Sequence, residues 1–225
     1  MENGLSLIFK AYGTQLNILK ATMKLNRSIA VLFLFLQTCC SQAQPQTAGE
    51  NGKGKNILIV YLSRTNCTKV VAEMIHQKVG GKIVALELEK AYPENYRATV
   101  EQVSNELRTG FLPPLKTRIE NWSQYDFIFI GFPTWAMSLP PPMQSFLHQY
   151  NFEGKTLVPF NTNGGYGLGS TIEKIKEICP KATVKEAFTV FGGKEPEGTH
   201  LTLESERGKE VKQMIYDWLE KIKLD

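Results

Sequence analysis

Between Asn56 and Ile222, five short apolar runs each precede a segment whose apolar residues recur at helical spacing. The first run, Ile57-Leu58-Ile59-Val60-Tyr61, is continuous and of strand length, and in residues 68–79 Val71, Met74, Ile75 and Lys78/Val79 share one helical face. The same reading predicts strands over 82–88, 126–131, 156–160 and 187–191, and helices over 94–108, 143–149, 170–178 and 204–222. Strands that are apolar throughout are buried on both faces, which requires a parallel sheet between two helical layers. Right-handed crossovers then restrict the chain to doubly wound topologies, in which ligands lie beyond the carboxyl ends of the strands. The loops after strands one, three and four are where chemistry is expected.

At 225 residues, the chain is better explained by one domain plus an extension than by two full domains. The extension is N-terminal: Lys24 and Arg27 precede the apolar run 29–36, and Gln37-Thr38-Cys39-Cys40-Ser41-Gln42-Ala43 follows it. That is the order of an export signal, and eight apolar residues fall far short of the roughly 20 needed to span a bilayer. Residues 1–22 read as an unassigned or mis-started extension, with Met23 as the natural start, 23–43 as the signal, 44–55 as a polar, Gly-rich tether, and 56–225 as the folded domain. Two processing outcomes stay open, peptidase cleavage after Ser41-Gln42-Ala43 or lipidation at Cys39. Either places the mature chain in a bacterial periplasm or on its envelope, with no transmembrane helix; an unprocessed signal would leave it cytoplasmic. Loss of residues 1–40 takes four basic residues and one acid, leaving 22 against 21. A nucleic-acid binder needs a clear basic excess on one face, so nucleic acid is excluded as the expected partner.

The first loop, Ser63-Arg64-Thr65-Asn66-Cys67-Thr68, leads from a buried strand into a helix start, where free N–H groups and the positive end of the helix dipole favour an anion. Ser63, Thr65 and Thr68 supply three hydroxyls for phosphate oxygens. No Gly-Lys-Ser/Thr or Gly-x-Gly-x-x-Gly follows the first strand, so neither a Walker loop nor the dinucleotide fingerprint is present. After strand three, Pro133-Thr134-Trp135-Ala136-Met137 sets one large aromatic between Pro133 and the run Pro140-Pro141-Pro142, suited to cover a planar ring. After strand four, Thr162-Asn163-Gly164-Gly165-Tyr166 opens a Gly-rich segment that lets backbone approach a heterocycle edge. A phosphate cradle, an aromatic wall and a backbone-lined slot at adjacent strand ends suit a phosphorylated, flat heteroaromatic ligand, and FMN meets all three requirements.

On these residues the sequence resembles the flavodoxin family, with motifs in the right order from about Asn56 to Ile222. The resemblance implies a flavodoxin-like α/β three-layer sandwich, a five-stranded parallel sheet in order 2-1-3-4-5, and non-covalent FMN. It further implies that residues 63–68 hold the phosphate, 133–137 flank the isoalloxazine, and 162–166 contact its other parts. Two positions depart from the family's habit. Asn66 stands where Gly is common, though Asn tolerates left-handed backbone better than most residues, and Ala136 follows Trp135 where a second aromatic is frequent.

The segments 131–142 and 161–171 contain no Asp or Glu. Carboxylates near a flavin oppose the charge it gains on reduction, so a potential less negative than that of acidic flavodoxins is expected. A near-neutral mature chain also lacks the field that steers an acidic carrier to a basic partner. The expected function is electron transfer or flavin-dependent reduction, with a redox protein or a small molecule as acceptor; the alternative is a binding module of the same fold without redox chemistry. The isolated His76, His148 and His200 suit no metal site, Cys67 fits the phosphate loop without catalysis, and the loop 192–204 is expected near the flavin edge, within reach of a substrate or partner, with no role assigned.

Overall fold

The computed structural model describes residues 56–202 and 204–224. The predicted extension, export signal and tether lie outside the described residues. Among the described residues, no helix is long and apolar enough to cross a membrane. The strands are β1 (Ile57–Tyr61), β2 (Lys82–Ala85), β3 (Phe127–Pro133), β4 (Thr156–Asn163), β5 (Thr183–Val184) and β6 (Phe188–Phe191). The helices are α1 (Cys67–Val79), α2 (Tyr96–Thr109), α3 (Pro141–Gln149), α4 (Thr171–Ile178) and α5 (Glu206–Ile222).

All strands pair in parallel in the order β2-β1-β3-β4, with β5 and β6 both on the outer edge of β4. This is the expected 2-1-3-4-5 sheet with its fifth strand broken in two. Thr156 faces Thr183 and Leu157 faces Val184, but Phe160 faces Phe188, so the edge strand carries one residue more than β4 between the two pairings. An extra residue of this kind is a bulge, a common way to bend a sheet edge.

Alternation along each strand supplies both cores at once. Ile57, Ile59, Phe127, Phe129, Val158 and Phe160 join α1 and α5 on one face, where Val71, Ile75, Val211, Ile215 and Trp218 meet them. Leu58, Val60, Ile128, Ile130 and Leu157 face Met143, Phe146 and Leu147 of α3 and Ile175 of α4 on the other. Helix α2 packs beside α3.

The predicted second strand, 82–88, is corrected at its end: the parallel pairing stops at Ala85. Beyond it the chain turns to an antiparallel contact, Leu88 opposite Leu115, with Lys116 N–H donating to the Glu87 carbonyl at 2.8 Å. Apolar residues alone do not say which neighbour a strand takes, and here Leu115 competes with the sheet. At α3, Pro140 is the N-cap and Pro141 and Pro142 fill the first turn. Those positions have no use for an N–H, so the triple proline starts the helix two residues before the predicted Met143.

Candidate functional site

The loops after β1, β3 and β4 converge on one cleft of about 460 Å³, within the range of small-molecule sites. Of the expected residues, Arg64, Thr65, Cys67, Thr68, Pro133, Thr134, Trp135, Ala136, Met137, Thr162, Asn163, Gly164 and Tyr166 line it. Ser63, Asn66 and Gly165 do not.

The floor is built where α1 begins. Asn66, its N-cap, takes a left-handed conformation with φ 64°, and its side chain caps nothing. Ser63 Oγ instead accepts the Lys69 N–H at 3.3 Å, so this hydroxyl serves the third helical position and not the cleft. The amides of Cys67 and Thr68, at the first two helical positions, have no acceptor in the preceding turn, as at any helix start. Thr68 is buried, and its hydroxyl shares a 2.8 Å hydrogen bond with that of Thr162, tying α1 to β4. The Cys67 thiol donates to the Gly192 carbonyl at 2.9 Å. Gly192 is needed for this packing: a Cβ there would lie 2.9 Å from Thr162 Cβ and 3.2 Å from Cys67 Cβ.

The aromatic wall hangs on a tight turn. Trp135 and Ser138 exchange backbone hydrogen bonds of 3.3 and 2.9 Å, and between them Ala136 and Met137 have φ of 46° and 57°. Two successive left-handed residues without glycine are strained. The conformation is held by the end of the loop after β4, where Ser170 donates to the Met137 carbonyl from N at 2.9 Å and from Oγ at 3.2 Å. A second aromatic does reach Trp135, but from the loop before α2. The Tyr92 ring stands edge-on to it, with centroids 5.4 Å apart and planes at 87°. The Tyr92 hydroxyl donates to buried Glu106 at 2.5 Å. Burial, then that hydrogen bond and the Glu106 charge, push the phenol well above its ordinary range, so it stays a donor.

The third loop is organised by Asn163. Its Oδ1 accepts the N–H groups of Gly165 and Gly167 at 2.8 and 3.2 Å, while its Nδ2 donates to Thr189 Oγ1 at 3.0 Å. Thr134 Oγ1 donates to the Gly167 carbonyl at 2.8 Å, joining the second loop to the third. Tyr166 is left 77 % exposed at the rim.

The loop 192–204, expected near the flavin edge, supplies a fourth wall whose residues sequence reasoning did not assign to the site. Tyr96 and residues 192–197 also line the cleft. The segment follows β6, next to β4, so the strand-end rule applied to the fifth strand finds it; Tyr96, in the first turn of α2, carries no such signal. This wall brings two carboxylates to the cleft, although the segments 131–142 and 161–171 hold none. Each carboxylate is paired: Glu195 with Arg64 Nε at 2.9 Å and Glu197 with Lys194 Nζ at 2.9 Å. The bond to Glu197 pushes the exposed Lys194 ammonium above its ordinary value. Cys67 and Cys179 are free, buried thiols.

A flavodoxin family model matches residues 56–199, and the chain belongs to the flavodoxin family. Among solved structures, a candidate flavoprotein from Bacteroides eggerthii is 26 % identical with a TM-score of 0.61, covering 76 % of this chain and 99 % of that one. A second, from Bacteroides uniformis, is 23 % identical with a TM-score of 0.60 over 72 % and 99 % of the two chains. A flavoprotein of Lactobacillus acidophilus, solved in complex with FMN, is 21 % identical with a TM-score of 0.55 over 60 % and 93 %. No curated protein matches the chain. FMN is the family's cofactor, and the donors present fit it: hydroxyl and amide groups at a helix start suit a phosphate, and Trp135 suits a ring.

Proposed function

We propose that the protein is an FMN-dependent redox protein, exported through its 23–43 segment, that passes electrons to a redox protein or a small acceptor. The observation that carries this reading is the convergence of three loops, distant in the chain, on one cleft where the start of α1 offers hydroxyl and amide donors for a phosphate. Bound FMN supplies reversible electron uptake; the protein supplies binding, orientation and electrostatics. In this reading Thr65, Thr68 and the first amides of α1 take the phosphate, and the 133–137 turn holds Trp135 against one ring face. Asn163 keeps the Gly-rich backbone at the ring edge. Burial of Cys67 and its bond to the Gly192 carbonyl support a packing role for this thiol, without nucleophilic chemistry.

The role is tested by spectroelectrochemical titration of the FMN-loaded protein. Reversible reduction with FMN retained supports it, whereas loss of FMN on reduction leaves only a binding module. Steady-state NAD(P)H oxidation with quinone acceptors then separates a reductase, which turns over alone, from a carrier, which does not.

A further inference from the structure

Arg64 is the only cation of the loop between β1 and α1, and a guanidinium beside a phosphate site would ordinarily be read as its ligand. Its hydrogen bonds point elsewhere. Nε donates to both Glu195 carboxylate oxygens at 2.9 Å, Nη1 to the Pro93 carbonyl at 3.0 Å and Thr99 Oγ1 at 3.2 Å, and Nη2 to the Glu94 carbonyl at 2.6 Å. A guanidinium has five N–H groups, so this set occupies all but one on Nη2. The two side chains are 19 % and 28 % exposed, enough shielding for the charge-assisted bonds to hold a geometry.

The other end of the bond is the cleft wall that follows β6. Glu195 opens the 3-10 turn Glu195–Glu197. Within that wall the bonds are local: Lys194 N–H to Thr199 Oγ1, Glu197 N–H to the Lys194 carbonyl, Gly198 N–H to the Glu195 carbonyl, and Lys194 Nζ to Glu197. Among the described residues, hydrogen bonds and ion pairs of residues 194–199 reach the rest of the protein only through Glu195 and Arg64. Turning Arg64 onto a phosphate would strand the part-buried Glu195 carboxylate and free the wall, which opposes such a movement.

We infer that Arg64 is a positioning residue: through Glu195 it fixes residues 193–199 as a wall of the cofactor cleft, while uncharged groups of its own loop hold the phosphate. The cofactor half of this inference rests on the function proposed above; the wall-fixing half does not.

Arg64→Ala, Glu195→Ala and the double variant test it, with two readouts. Hydrogen exchange of the Lys194, Glu197, Gly198 and Thr199 amides in FMN-free protein is expected to rise about ten-fold in each single variant and no further in the double. FMN and riboflavin affinities, read by flavin fluorescence quenching, are expected to weaken by a common factor of roughly ten, so the preference for the phosphorylated flavin survives in both. Glu195→Gln, which still accepts from Nε, should fall between wild type and Glu195→Ala. The inference is overturned if Arg64→Ala abolishes the preference for FMN while Glu195→Ala keeps it, because Arg64 would then be a phosphate ligand. It is equally overturned if exchange at these amides does not change. A wild-type protein that binds neither flavin sinks the functional reading instead and leaves the exchange result to decide the wall. Should Arg64→Ala fail to fold, the Glu195 variants carry both readouts.

Discussion

Ala136 and Met137 have φ of 46° and 57°, where a side chain ordinarily costs about 1–2 kcal/mol, and they carry Trp135 into the cleft. Ala136→Gly should relieve that strain and raise stability by about 0.5–1 kcal/mol in urea unfolding, while a looser turn weakens flavin binding. Asn66 meets the same constraint at φ 64°. Asn66→Ala is expected to lose about 1 kcal/mol and Asn66→Gly almost nothing, a difference that paired denaturation curves resolve. The tolerance of Asn66 for this backbone is legible in the sequence, because its residue type carries the conformational preference. The strain at Ala136 is not, since nothing in an Ala-Met pair announces a left-handed turn; it arises from Ser170, far along the chain, gripping the Met137 carbonyl. The Arg64–Glu195 pair is hidden for the same reason, its partners lying far apart in the chain.

Helix α5 buries Val211, Ile215, Trp218, Leu219 and Ile222 against the sheet, and its start is fixed by Ser205, whose Oγ accepts the Gly208 N–H at 2.9 Å. Ser205→Ala should cost about 1 kcal/mol in a chemical denaturation series, with the spectrum of the folded state unchanged. At the end of α4, burial pushes the Cys179 thiol from 9.0 to about 11. The unfolded thiol therefore ionises first: its contribution is complete below pH 9 and declines as pH rises toward 11. The decline amounts to about 2–3 kcal/mol, and comparison of Cys179→Ala with wild type across that interval isolates it from the tyrosines. Elements with strong periodicity, such as β1, α1 and α5, were readable from the chain because their apolar residues admit one burial pattern. The breaks in β2 and in the edge strand were not, since pairing partners are chosen by tertiary geometry that hydrophobic pattern alone does not encode.

For the molecule as a whole, the order β2-β1-β3-β4 followed by a divided fifth strand brings the strand ends to one side, and the cleft lies there. A doubly wound sheet and three of the four walls followed from apolar runs and loop composition, and the strand order from the family resemblance; the fourth wall came from a loop expected near the flavin edge, but its paired charges were not legible there. Because Glu195 and Glu197 are each neutralised by a cation, the expectation of a flavin potential above that of acidic carriers is retained. Lys194→Met would leave Glu197 unpaired and should lower that potential in a redox titration. Binding FMN to the folded state alone must also raise the melting temperature with ligand concentration, by about 2.7 kcal/mol of stability at a hundred-fold excess over Kd. The most direct measurement is a titration of FMN-free protein with FMN and with riboflavin, following flavin fluorescence and the visible spectrum. Saturable quenching with shifted bands, tighter for FMN than for riboflavin, is the expected result; unquenched fluorescence and an unshifted spectrum at saturating protein would contradict the assignment of this cleft to FMN.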